Sequence, residues 1–169
     1  MDATALYLGY CELGRETFLA RAAPALVVRG VETNAGSEHA RALDVAATHA
    51  AAGVRASDGT AILVHPLIKR PDTPFAHMIT VGRTGNNDVC VPDASVSRFH
   101  AYFRDTDGEW LVCDAGSRNG TRLNGRKLAT RAETPLGSGS TLRIGDVTAT
   151  FCTPPDLYAL LIELSFADA

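Results

Sequence analysis

The sequence predicts an all-β sandwich, extended at its N-terminus by a strand and a helix and closed at its C-terminus by a short helix. Three observations carry this expectation. Short apolar runs recur at close, regular spacing from residue 60 to residue 153. Tight-turn pairs separate them: Asp107-Gly108, Asn119-Gly120, Asn124-Gly125 and Gly145-Asp146. Of the 169 residues, 46% are hydrophobic and 21% charged, enough apolar material for one core and too little charge for a disordered chain.

Taken in order, Ala25-Leu26-Val27-Val28 reads as a strand and Gly30 to Gly36 as a turn. Ser37 is placed to cap an Ala-rich helix that stops at Gly53, and Asp58-Gly59 marks a break. Ala61 to Ile68, Met78 to Val81 and Asp88 to Val91 are expected strands. Phe99 to Phe103 and Glu109 to Cys113 form an expected hairpin across Asp107-Gly108. Ser140 to Ile144 and Val147 to Cys152 form another across Gly145-Asp146. Pro154-Pro155 ends the last strand, because proline cannot donate to a ladder. Asp156 then caps a helix over Asp156–Ser165. The chain therefore divides into an extension, 1–59, expected to pack on the sandwich; a sandwich domain, 60–153; and a helix, 154–169.

Charge narrows the function. Lys and Arg number 16 against 19 Asp and Glu, a net charge of −3. A general nucleic-acid binder needs a strong basic excess, so that class is not expected. The charge is unevenly spread: net −2 over 1–59, +2 over 60–153 and −3 over 154–169. No apolar run approaches the ~18 residues of a membrane span, and no basic segment opens a leader peptide. Cys11, Cys90, Cys113 and Cys152 show no CxxC spacing, so neither a metal site nor a disulfide framework is indicated and a cytoplasmic setting is expected. Cys90, Cys113 and Cys152 read as small strand residues. His39, His49, His65 and His77 share no spacing. No cofactor is expected.

Three polar clusters fall in turns. They are Gly82-Arg83 with Asn87-Asp88 behind it; Ser97-Arg98-Phe99-His100; and Asp114 to Thr121, closed by Asn124-Gly125. Loops on a rigid scaffold are where binding residues concentrate. Arginine presents a planar fork to phosphate oxygens, serine a hydroxyl, and asparagine both a donor and an acceptor for peptide backbone. This kit suits a phosphorylated extended peptide better than a reaction.

In order and spacing, VGRTGNNDVCVPDASVSRFHA followed by WLVCDAGSRNGTRLNG resembles the forkhead-associated (FHA) family of phosphothreonine-binding modules. The likeness covers residues 60–153. It implies a β-sandwich of about eleven strands whose apical loops hold phosphothreonine. It implies that Arg83 meets the phosphate, through charge-assisted bonds of about 1.5–3 kcal/mol each. Ser97 would bind phosphate oxygens with its hydroxyl and backbone N–H, and Arg98 stands where a further phosphate contact often sits. Asn119 would hold the peptide main chain. Arg118 replaces a common Ser or Thr and would add a phosphate contact or favour acidic ligand residues. His100 would brace the Ser97 loop. Gly82, Gly120, Thr121, Asn124 and Gly125 would support the loops. Threonine is expected over serine because the family seats the γ-methyl in a small apolar pocket, worth about 1–3 kcal/mol. The implied partner is a phosphothreonine-bearing protein in a Ser/Thr kinase pathway, and the implied protein is a non-enzymatic adaptor.

Other readings stand beside these. A scaffold that keeps the fold but binds its partner without phosphate is the alternative function. Ser97, His100 and Asp114 could be drawn as a hydrolytic triad, but no G-x-S-x-G elbow surrounds Ser97. Arg104, Arg122, Arg126, Lys127 and Arg131 read as a solvated face. Asn119-Gly120-Thr121 matches a glycosylation acceptor only formally. The C-terminal helix reads as a packing element, with a docking surface or a lid over the loops as its alternative.

Overall fold

The turn pairs close three hairpins in the structure, a computed structural model that describes residues 2–30, 54–55 and 60–166. In chain order the elements are α1 (Ala3–Glu12), α2 (Arg15–Arg21), β1 (Ala25–Gly30), β2 (Val54–Arg55), β3 (Ala61–Pro66), β4 (Ile79–Gly82), β5 (Val89–Cys90), β6 (Ala101–Thr106), β7 (Glu109–Asp114), β8 (Thr121–Leu123), β9 (Arg126–Lys127), β10 (Thr134–Leu136), β11 (Thr141–Ile144), β12 (Val147–Cys152) and α3 (Pro154–Phe166). Asp107 and Gly108 both take positive φ, 53° and 87°, so a two-residue turn joins β6 to β7 with Thr106 facing Glu109. Asn124 (φ 49°) and Gly125 (φ 84°) join β8 to β9 in the same manner.

Two compact units result. One comprises Leu67–Phe151; the other combines residues 1–66 with 152–169. In the first, five strands run in the order β10-β7-β6-β4-β5, with only the β4–β5 pair parallel. The second layer of this unit has the order β12-β11-β8-β9, antiparallel throughout. Alternation sorts the side chains. Leu142 and Ile144 of β11 are buried while Thr141 and Arg143 are exposed, and Ala101 and Phe103 of β6 are buried. Trp110 of β7 meets Phe151 of β12 with ring centroids 5.6 Å apart. This is the expected all-β sandwich.

The other unit contains β2, β3 and β1, antiparallel, with Val27 opposite Val64. Its helices α1 and α2 are absent from the sequence reading. Asp2 caps α1 by accepting from the Thr4 N–H at 3.0 Å, and Gly14, at φ 96°, turns the chain into α2. Phe18 is fully buried, with its ring edge on Tyr7 and Tyr158, centroids 5.9 and 5.3 Å away. Thr4 Oγ1 accepts from the Val64 N–H at 3.0 Å, tying α1 to β3.

Two expectations shift. The strand from Ala61 ends at Pro66 rather than Ile68, which is exposed. The last helix begins at Pro154, with both prolines inside its first turn; Asp156 is an acidic first-turn residue and not the cap. Proline is tolerated there because first-turn N–H groups have no helical acceptor. The turn over 30–36, the helix over 37–53 with Ser37 as cap, and the Asp58-Gly59 break lie outside the described residues, Gly30 apart, which ends β1. Among the described residues no helix is long and apolar enough to cross a membrane.

Phe18→Ala removes a side chain buried among two other rings and two helices, and the expected loss is about 3–5 kcal/mol of unfolding free energy. Urea titration followed by far-UV circular dichroism measures it; an unchanged midpoint would show that Phe18 does not hold this unit together.

Candidate functional site

The polar clusters of the sequence become three interlocked loops of the Leu67–Phe151 unit: one after β4, one before β6 and one between β7 and β8. The Arg83 N–H donates to Ser97 O at 2.9 Å, fastening the first loop to the second. The Arg118 N–H donates to Ser97 Oγ at 3.0 Å, fastening the third to the second. Asn119 Nδ2 donates to Ser95 O at 2.8 Å, a second tie between the same two.

His100 lies beneath this junction and is fully buried. Its Nδ1 accepts from the Ser97 N–H at 3.0 Å, and its Nε2 sits 3.0 Å from Gly120 O. A carbonyl only accepts, so Nε2 carries the proton and the ring is neutral. Burial pushes the imidazole pKa down, against the Gly120 carbonyl and the charge of Asp114, which push it up. Because His100 takes the Ser97 N–H, only the hydroxyl of Ser97 remains to face a ligand. That hydroxyl accepts from Arg118 and keeps its own proton to donate.

Asp114, 2% exposed, organises the third loop. Its carboxylate accepts from the Gly116 and Ser117 N–H groups and from the hydroxyls of Ser117 (2.5 Å) and Thr121 (2.7 Å). Burial would raise this carboxyl, but those bonds outweigh it and hold it below the usual range. Asp114 therefore does not face His100 Nδ1, and His100 does not face the Ser97 hydroxyl. The triad drawn from the sequence does not form.

The exposed ends of the loops carry the guanidinium groups of Arg83, Arg98 and Arg118. Arg83 Nη1 makes a long bond, 3.4 Å, to Ala94 O. Among the described residues none of the three pairs with a carboxylate. Asn119 is also exposed, and its Oδ1 and one N–H hold no partner among the described residues. The structure thus brings Arg83, Ser97, Arg98, Arg118 and Asn119 to one loop cluster, with His100, Gly120 and Thr121 behind them.

Gly82 shows why the first loop needs glycine. A Cβ there would stand 2.1 Å from Arg98 O and 2.7 Å from Asn87 Nδ2. Asn87, 4% exposed, ties the same carbonyl at 2.7 Å. Asn124 and Gly125 are placed elsewhere. Asn124 bonds both backbone groups of Thr141, at the other end of β8, and so supports the β8–β11 pair rather than the loops.

Sequence reasoning missed Ser95. It donates to Asp93 at 2.6 Å, accepts from the Asp146 N–H at 2.8 Å, and lends its carbonyl to Asn119. The Asp93-Ala94-Ser95 spacing, an Asx-turn pattern, was the available signal. Asp88 is a second anchor. Its side chain has no exposure. Burial would raise the carboxyl, but bonds from Thr73, the Thr80 and Arg70 N–H groups and Lys69 bring it down to about 2. Cys90 is half-buried and donates to Arg83 O at 3.3 Å; Cys113 and Cys152 are buried in strands. Among the described residues no cluster of His, Cys, Asp or Glu could hold a metal ion.

The signs of these shifts set a pH profile. His100 has a lowered pKa when folded, so the unfolded chain binds the extra proton first and stability declines as pH falls below about 6.5. Asp88 and Asp114 add a second decline as pH falls from about 4 towards 2. His65, whose imidazole burial also pushes down, adds to the same first leg. Chemical denaturation across pH 7 to about 5 should show it, and His100→Asn should make it shallower. An identical slope in that variant would refute the assignment.

The FHA domain profile matches residues 79–145, which bracket the three loops. The oxoglutarate dehydrogenase inhibitor of Corynebacterium diphtheriae is 33% identical over 76% of this chain and 84% of its own length. The glycogen accumulation regulator GarA of Mycolicibacterium smegmatis is 37% identical over 45% of this chain and 46% of its own. A solved MEK1 FHA domain with a HOP1 phosphothreonine peptide is 24% identical, with a TM-score of 0.43, over 53% of this chain and 87% of that one. With the ordered motifs lodged in interlocked loops and a relative matched along most of its length, the chain belongs to the FHA domain family.

Proposed function

We propose that this protein is a non-enzymatic, cytoplasmic adaptor that binds phosphothreonine-containing segments of partners in a Ser/Thr kinase pathway. The observation that carries the reading is the convergence, on loops bonded directly to one another, of the Arg83 guanidinium, the Ser97 hydroxyl proton and the Asn119 carboxamide; among the described residues the first meets no carboxylate and the second and the carboxamide Oδ1 hold no partner. A phosphothreonine brings a charge of about −1.5 to −2 and three acceptor oxygens. Arg83, with Arg98 and Arg118 on the same loop cluster, supplies fork donors without first breaking an ion pair to any described residue. Ser97 supplies a hydroxyl donor. Asn119 offers one acceptor and one donor, the complement of a peptide's own N–H and C=O. Charge-assisted bonds less the cost of ordering a flexible peptide leave an affinity near micromolar, about −8 kcal/mol. The names of the relatives, an enzyme inhibitor and an accumulation regulator, support a regulatory rather than a catalytic role.

A second reading, binding without phosphate, is favoured by one observation. Phe75 and Phe99 are 54% and 38% exposed and stack with centroids 5.8 Å apart and planes 17° from parallel. Exposed stacked rings suit an apolar partner surface.

Calorimetry against a pool of phosphothreonine peptides separates the two. The pool should bind and raise the melting temperature, as a ligand specific to the folded form must. Arg83→Ala should weaken binding about tenfold to a hundredfold, and Asn119→Ala should weaken it less, since no charge is lost. Binding that Arg83→Ala leaves undiminished, or that is equal for unphosphorylated peptides, would favour the second reading.

A further inference from the structure

On the outward face of β12, β11, β8 and β9, register places Thr148 opposite Arg143, Arg143 opposite Arg122, and Arg122 opposite Lys127. Directly paired residues of antiparallel strands point to the same side of the sheet, so three cations stand in one row, all exposed. Like charges directly opposite each other destabilise a sheet. Compensation is incomplete. Arg143 pairs with Asp146 at 2.9 Å. Among the described residues Arg122 has only the carbonyl of Gly125, at 3.3 Å. Among the described residues neither Arg122 nor Lys127 meets a carboxylate.

This row is continuous with the loop cluster. The Lys127 stem lies against Gly120, where a Cβ would meet Lys127 Cε at 3.0 Å. Gly120 follows Asn119, and Arg118 is exposed on the same loop. With strands about 4.8 Å apart, the row from Lys127 to Arg143 spans about 10 Å, the reach of about three residues of extended chain.

We propose that the Lys127–Arg122–Arg143 row is an extension of the peptide site that receives an acidic stretch flanking the phosphothreonine. This inference rests on the function proposed above and names the ligand's charge pattern. An acidic peptide fits better than nucleic acid, because residues 60–153 carry a net charge of only +2 and the row is too short to track a phosphate backbone.

The test uses the full chain and three fluorescent peptide pools, each with a fixed central phosphothreonine and degenerate immediate neighbours. One carries three glutamates before the neighbours, one carries them after, and one carries glutamines at both places. Anisotropy is read at about 50 and 200 mM salt, where screening differs. One acidic pool should bind at least about fivefold more tightly than the glutamine pool at low salt, and the gain should shrink at high salt. Arg122→Gln should reduce that gain, and Arg122→Glu should abolish it and favour a pool with lysine triplets. Circular dichroism verifies that both variants fold. Equal binding of all pools, or a gain unchanged in Arg122→Glu, overturns the extension while leaving the phosphothreonine site standing. Binding of none of the pools, glutamine pool included, overturns both. A loss confined to a single-stranded oligonucleotide probe in Arg122→Glu would assign the row to nucleic acid and overturn the peptide extension.

Discussion

One neutral imidazole holds the candidate site together. His100 receives the Ser97 N–H on one nitrogen and gives its proton to Gly120 O from the other, so a single buried ring ties its own loop to a carbonyl 20 residues further along the chain. The arrangement works in only one protonation state. A second proton on the ring would place a donor against the Ser97 N–H, and both groups would lose their partner in an interior that cannot hydrate them. The rest of the cluster follows from this bridge: Ser97 is aimed by it, Arg118 is bonded to Ser97, and the Asn119 loop is fixed at Gly120.

Around the bridge the backbone is locked while the charged ends stay free. Gly82 permits the close approach of the Arg98 carbonyl, and Gly145 permits that of Ser95 O, from which a Cβ would stand only 2.5 Å. Asp114 saturates its acceptors on its own loop. Ordering of the main chain is thus completed during folding, and a ligand has mainly the arginine side chains left to immobilise. Each such side chain loses up to about 2 kcal/mol of rotamer entropy on being fixed, which is why the affinity proposed above is set near micromolar.

The sandwich and its loops were legible because they are written locally. Asp107-Gly108 and Asn124-Gly125 declare their turns by residue type, and both pairs take the positive φ that the type predicts. The ordered clusters around Arg83, Ser97 and Asn119 pointed to one site for the same reason. The N-terminal helices were not legible. Between Asp2 and Glu12 the chain has no charged residue to mark a polar face, and α2 is only seven residues long. Their stability comes from Phe18, Tyr7 and Leu157 meeting in three dimensions, which no short window displays. Ser95 was missed because its role is non-local: it meets Asp146, 51 residues away. The start of α3 was misplaced because the two prolines read as a barrier, whereas the first turn of a helix accepts them.

The margins of the two β-layers have a consequence for behaviour at high concentration. β5 and β9 are each two residues long, β9 consists of Arg126 and Lys127, and the opposite margin strand, β10, contains Pro135. Unpaired strand margins are templates on which further chains can zip up, and brevity, positive charge and proline each blunt such a template. At each of these three margins, then, the chain itself works against edge-to-edge pairing with a second copy.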